Sequence, residues 1–163
     1  MDSSTLDWSS VGATLPGGHM TDGNSRGGQH RSAGAVEFRV AARLENLAVL
    51  RTLVGAVGTF EDLDFDAIAD LRLAVDEACT RLIRSAAPDA TLVVVVDPSE
   101  DVVVVEASTH CDTYDVVTPG SFSWHVLSSL TDDVQTFHNG HEPNRDGQVF
   151  GITLTTRRAG SAR

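Results

Sequence analysis

Lysine is absent from this 163-residue chain, and all 12 of its basic residues are arginine. Any phosphate or carboxylate held by a cationic side chain is therefore held by a guanidinium and its fork of donors. Cysteine is scarce, with only Cys79 and Cys111. That excludes a disulfide framework and a four-cysteine metal site. No run of 18 apolar residues occurs, so no membrane span is expected. The N-terminus lacks a basic segment followed by an apolar one, so no secretion signal is read. The expected location is the cytoplasm. Positive charge is in deficit, since 23 acids against 12 bases leave a formal charge of −11. A surface this acidic repels nucleic acid and anionic lipid, so no direct nucleic-acid or membrane partner is expected.

What is present suffices for one domain. Apolar residues make up 41% of the chain, enough for one compact core at this length. They are unevenly placed. Residues 1–34 hold seven of the 14 glycines, among Ser, Thr and Asn and without apolar periodicity. Such a segment cannot offset its ordering entropy and reads as a disordered tail. Met20 precedes a more ordinary-looking start and is read as the true initiator. The folded domain is expected over 35–158, with a short tail at 159–163.

Within the domain, apolar periodicity places the elements. Val36, Phe38 and Val40 alternate with Glu37 and Arg39, as in a half-buried strand. Leu44, Leu47, Leu50 or Arg51, Val54 and Val57 recur at helical spacing, predicting an amphipathic helix that ends near Gly55–Gly58. In the acidic connector that follows, Asp64 or Asp66 can cap a second helix. That helix runs to about Ala86, with Ile68, Leu71, Val75, Ala78 or Cys79, and Leu82 as its stripe. Two valine runs, Leu92–Val96 and Val102–Val105, predict a buried hairpin. His110–Pro119 reads as a polar loop, and Gly120–Leu130 as a helix with Phe122 and Trp124 in the core. Two last strands are expected at Val134–Phe137 and Val149–Thr155, with Asn139-Gly140 and Asp146-Gly147 as turn signals between them. Helices on one face of a mixed, mostly antiparallel sheet make an α+β two-layer sandwich.

The second helix, Asp70-Leu71-Arg72-Leu73-Ala74-Val75-Asp76-Glu77-Ala78-Cys79-Thr80, resembles the N-box helix of the RsbW-type anti-sigma factors. Those are small serine kinases of the GHKL (Bergerat, histidine kinase-like) ATPase superfamily. The resemblance extends through Val36–Val40 and the first helix. It resumes at Val126–Val134 and Gly151–Leu154, and the mycobacterial branch fits best. It implies a homodimer that holds a stress or stationary-phase sigma factor away from RNA polymerase. A STAS-domain anti-anti-sigma protein would then release the sigma factor. In kinase-competent members, ATP phosphorylates a serine of that antagonist.

By this resemblance Glu77 is the catalytic base that accepts the proton of the attacking serine. Read alone, Glu77 is a solvent-facing helical residue paired with Arg81. Family kinases carry Asn at the position of Arg81, as a Mg²⁺ ligand. Arg offers only donors and a permanent positive charge, so it cannot ligate the metal. Arg81 is therefore either a contact for ATP phosphates or half of a surface pair worth about 0.2–0.5 kcal/mol; the pair is preferred.

The adenine-reading Asp-x-Gly-x-Gly box is replaced by Ala107-Ser108-Thr109-His110-Cys111-Asp112. Asp112 supplies a carboxylate there only if the register shifts. Gly120-Ser121 is the remnant of the second glycine box, where helix-terminal amides can meet a phosphate. The nucleotide-binding candidates are thus Arg81, Asp112, Gly120 and Ser121. ATP is expected to be bound weakly if at all, and the residues argue against Mg²⁺. Arg51 matches a family arginine used at the sigma interface, or is an ordinary helical arginine. The acidic stretch from Glu61 to Asp70 can meet a basic sigma surface, or is a solvated connector.

The leading expectation is a sequestering anti-sigma factor with a degenerate nucleotide site. The alternative is an active serine kinase. A nucleotide or redox sensor of the same fold rests on analogy alone. Cys79 is expected to face the core and Cys111 to be the more reactive thiol. No metal is expected, since His138 and His141 lack a further ligand.

Overall fold

The structure is a computed structural model that describes residues 31–113, 115–139 and 148–160. Its elements follow the predicted order. They are β1 (Val36–Ala41), α1 (Leu47–Phe60), α2 (Phe65–Ser85), β2 (Thr91–Pro98), β3 (Val102–Cys111), α3 (Phe122–Leu130), β4 (Asp133–Asn139) and β5 (Gln148–Arg157). The expected sheet was mixed but mostly antiparallel. The five strands lie in the order β1-β2-β3-β5-β4, and all four pairings are antiparallel. This is the α+β arrangement read from the sequence.

Strand alternation sets the core. Along β3, Val103, Val105, Ala107, Thr109 and Cys111 are buried, while their neighbours are half-exposed. Leu92, Val94 and Val96 of β2 and Phe150, Ile152 and Leu154 of β5 are buried alongside them. The helices close this face. From α2 come Leu71, Ala74, Val75, Ala78, Cys79 and Leu82, and from α1 come Leu50 and Val54. Ile68 and Val57, expected in the stripes, pack at the margin of the core.

Four local readings are revised. First, α1 does not stop at its glycines. It begins after a 3-10 turn (Leu44–Asn46) and continues to Phe60. A Cβ on Gly55 would approach Arg72 Cδ at 3.1 Å, and one on Gly58 would approach Ile68 Cγ1 at 3.2 Å. These glycines permit close approach of α1 to α2; they do not end the helix. Second, β3 runs on to Cys111, so the segment read as polar loop is strand as far as that residue, and Val116 and Val117 beyond it are buried in the core.

Third, the last helix begins after Gly120. That glycine has φ +85°, and Ser121 is the N-cap, accepting from the Trp124 amide at 3.2 Å. Fourth, Phe122 is not a core residue, being 79% exposed, whereas Trp124 packs partly against the core. Asp64 caps α2, its carboxylate accepting from the Ala67 amide at 2.8 Å.

At the N-terminal edge, Ser32 Oγ donates to the Pro98 carbonyl at 2.9 Å, and Arg31 pairs with Glu37 at 2.7 Å. Met20, Gly140, His141, Asp146 and Gly147 lie outside the described residues. No described helix is long and apolar enough to cross a membrane.

Candidate functional site

Two consecutive acids on α2 organise the site. Val75, Ala78 and Cys79 turn inward, which leaves Asp76 and Glu77 at the edge of the packed face. Asp76 reaches α1, where Arg51 Nη2 donates to Asp76 Oδ1 at 2.7 Å and Arg51 Nε donates to the same oxygen at 3.2 Å. Arg51, the candidate partner contact, thus already holds a carboxylate of its own chain. Its side chain remains 40% exposed.

Glu77 is held from two sides. Arg81 Nε donates to Glu77 Oε1 at 2.9 Å, across one helical turn. Ser123 Oγ donates to the same oxygen at 2.7 Å from α3. Burial pushes the Glu77 carboxyl upward. The hydrogen bonds from Arg81 and Ser123, with the charges of Arg81 and Arg84, more than offset it and hold the group below its ordinary value. The pair is therefore not the solvated surface bridge expected from spacing. It is a part-buried, three-residue cluster. A carboxylate in this state is a weakened base, because proton uptake must disrupt two charge-assisted bonds.

Ser123 was not recognised from the sequence. It is buried, in the first turn of α3 just after the capping Ser121. A buried hydroxyl needs an acceptor. That requirement was the one available signal, and the acceptor lies 46 residues away in sequence.

The remaining candidates divide. Gly120 and Ser121 lead into α3, whose Ser123 contacts Glu77, while the Ser121 hydroxyl caps the helix itself. Asp112 is exposed beyond the end of β3, and its amide donates to the Ser85 carbonyl at 3.2 Å. Ser85 ends α2 two turns past Glu77, roughly 12 Å along the axis. The fold does not bring Asp112 to Glu77.

The residues do not fit a Mg²⁺–nucleotide complex. Arg81 offers the metal no oxygen ligand. Ala107, which the resemblance places at the adenine-reading aspartate, is a buried methyl group. By the same resemblance Thr109 and Cys111 replace the two glycines of that box. The Thr109 hydroxyl donates to the Thr91 carbonyl at 2.9 Å, and Cys111 is buried. Among the described residues no group of three or more His, Cys, Asp or Glu side chains could hold a metal ion. His138 stacks edge-on against Phe150, with ring centroids 4.6 Å apart.

Cys111 is corrected as well. It sits in a strand and not in a loop, and burial pushes its thiol up to about 11. Cys79 faces the core, and burial pushes its thiol up to about 12.

Comparison with known proteins gives a consistent result. A family model described as a histidine kinase-like ATPase domain matches residues 40–147. The chain is 68% identical, over its whole length and 98% of the relative's, to the anti-sigma-F factor RsbW of Mycobacterium tuberculosis; the sequences from strains CDC 1551 / Oshkosh and ATCC 25618 / H37Rv match equally. It is 23% identical to the serine-protein kinase RsbW of Bacillus cereus (strain AH187), over 64% of this chain and 78% of that one.

Proposed function

Because the chain belongs to the histidine kinase-like ATPase family, in its RsbW anti-sigma branch, we propose that it is an anti-sigma factor acting by stoichiometric sequestration. It holds a stress or stationary-phase sigma factor, and a STAS-domain anti-anti-sigma protein releases that factor by competition. Its nucleotide site is degenerate, and the functional unit is a homodimer.

One observation carries the non-catalytic part of this reading. The candidate base, Glu77, already accepts from Arg81 and Ser123 through one oxygen. Its held-down pKa leaves little driving force for taking a serine proton. The fold is retained around a site whose metal position carries a cation. Sequestration needs the scaffold and its surfaces, and it does not need the base. Arg51, half-exposed on α1, serves as an interface residue whose own pair with Asp76 pre-orients its guanidinium.

The test is a titration of the co-encoded sigma factor with and without Mg·ATP. Tight binding that ignores ATP is expected. Transfer of phosphate to a serine of the cognate antagonist, abolished by Glu77→Gln, would instead establish the kinase.

A further inference from the structure

The geometry points to the turn between α1 and α2 as a docking surface for the basic, DNA-binding face of the sigma factor. This deepens the sequestration reading and rests on it. The turn is flanked by two phenylalanines, Phe60 closing α1 and Phe65 opening α2, and they are 84% and 86% exposed. Five residue steps separate them, so their Cα atoms lie within about 18 Å, well inside one protein footprint. Leu73, two helical turns beyond Phe65 on the same side of α2, is 57% exposed and extends the apolar strip towards Glu77.

The turn is rigid. Leu63 is buried beneath it, with its amide donating to the Gly58 carbonyl at 3.0 Å. Asp62 takes a left-handed conformation at φ 55°, and Asp64 caps α2. Arg158, arriving from the end of β5, donates to the Glu61 carbonyl and to Glu61 Oε2, the latter at 2.7 Å. A turn fixed at this many points presents its aromatic rings without the entropy cost of ordering a loop on binding. Rigid exposed aromatics are the usual anchors of protein interfaces.

Charge selects the occupant. Between Arg51 and Arg72 the chain carries Glu61, Asp62, Asp64, Asp66 and Asp70 and no base. Among the described residues none of these four aspartates forms an ion pair. A second copy of this chain, also at −11, is repelled by such a rim. A protein that binds DNA presents Arg and Lys where phosphates dock, and acids around an apolar anchor complement that surface.

The experiment measures sigma-factor binding by the full-length protein and two variants. Phe60→Ala/Phe65→Ala is expected to weaken binding at least about tenfold, chiefly through faster dissociation. Asp62→Asn/Asp66→Asn is expected to slow association about tenfold at low salt, and to flatten its dependence on ionic strength. All four side chains are exposed, and Asn tolerates the left-handed conformation. Unfolding midpoints are therefore expected to fall only slightly, through the first-turn charge that Asp66 gives the α2 dipole. If the unaltered protein fails to bind sigma, the sequestration reading falls and this proposal falls with it. If the unaltered protein binds and both variants bind equally well, only this proposal is overturned. Loss of antagonist binding with sigma binding intact overturns the choice of occupant.

Discussion

Ser123 on α3 and Glu77 on α2 share a 2.7 Å hydrogen bond, in which the hydroxyl occupies the carboxylate oxygen already taken by Arg81. The bond joins α3 to α2, the helix that carries the candidate base. A serine hydroxyl against a carboxylate is also the arrangement a phosphoacceptor would adopt. Here the chain supplies that hydroxyl itself.

Ser123→Ala therefore tests the state of Glu77. Removing this donor raises the Glu77 pKa towards its ordinary value, readable by carboxyl NMR titration, and costs about 1 kcal/mol at neutral pH. Because the folded pKa is depressed, the stabilisation is complete above the unfolded value of 4.5 and is lost as pH falls through the folded value. Urea midpoints at pH 7 and pH 3 are expected to differ less for the variant than for the unaltered protein. An equal pH dependence in both would show that the serine does not act on the carboxylate.

Gly151 is fixed by its neighbour. It pairs with Phe137 across β4 and β5, and a Cβ placed on it would fall within the Phe137 ring. Gly151→Ala is expected to destabilise the domain by about 1–3 kcal/mol, as overpacking does. In a Phe137→Ala background the same change is expected to be close to neutral, and a double-mutant cycle on denaturation midpoints measures the difference.

Both thiols are expected to be inert. Burial pushes Cys79 up to about 12 and Cys111 up to about 11, so neither is a thiolate at neutral pH. A chromogenic disulfide reagent should titrate no thiol in the native protein and both after unfolding. Fast reaction of Cys111 in the native state would reopen a redox role.

Much of the fold was legible because its signals are local. The α2 stripe follows helical period for about four turns, the valine runs of β2 and β3 alternate as strands, and Asp64 stands where a cap belongs. The misread parts depend on partners distant in sequence. The end of β3 alternates Ala107, Thr109 and Cys111 inward with Glu106, Ser108 and His110 outward, and so many polar residues obscure a strand period. Gly55 and Gly58 resemble a helix end until the side chains of α2 are seen against them. At the site, the spacing of Glu77 and Arg81 was visible, but Ser123 enters only through the packing of α3 on α2.

Val116 and Val117 change what the connection between β3 and α3 is. As core residues they contribute about 3–6 kcal/mol of burial between them. A ligand that needed their space would have to extract both. That would lower its apparent affinity by a factor of about 100 to about 20,000. The connection between β3 and α3 is thus a plug in the core, and opening it amounts to partial unfolding.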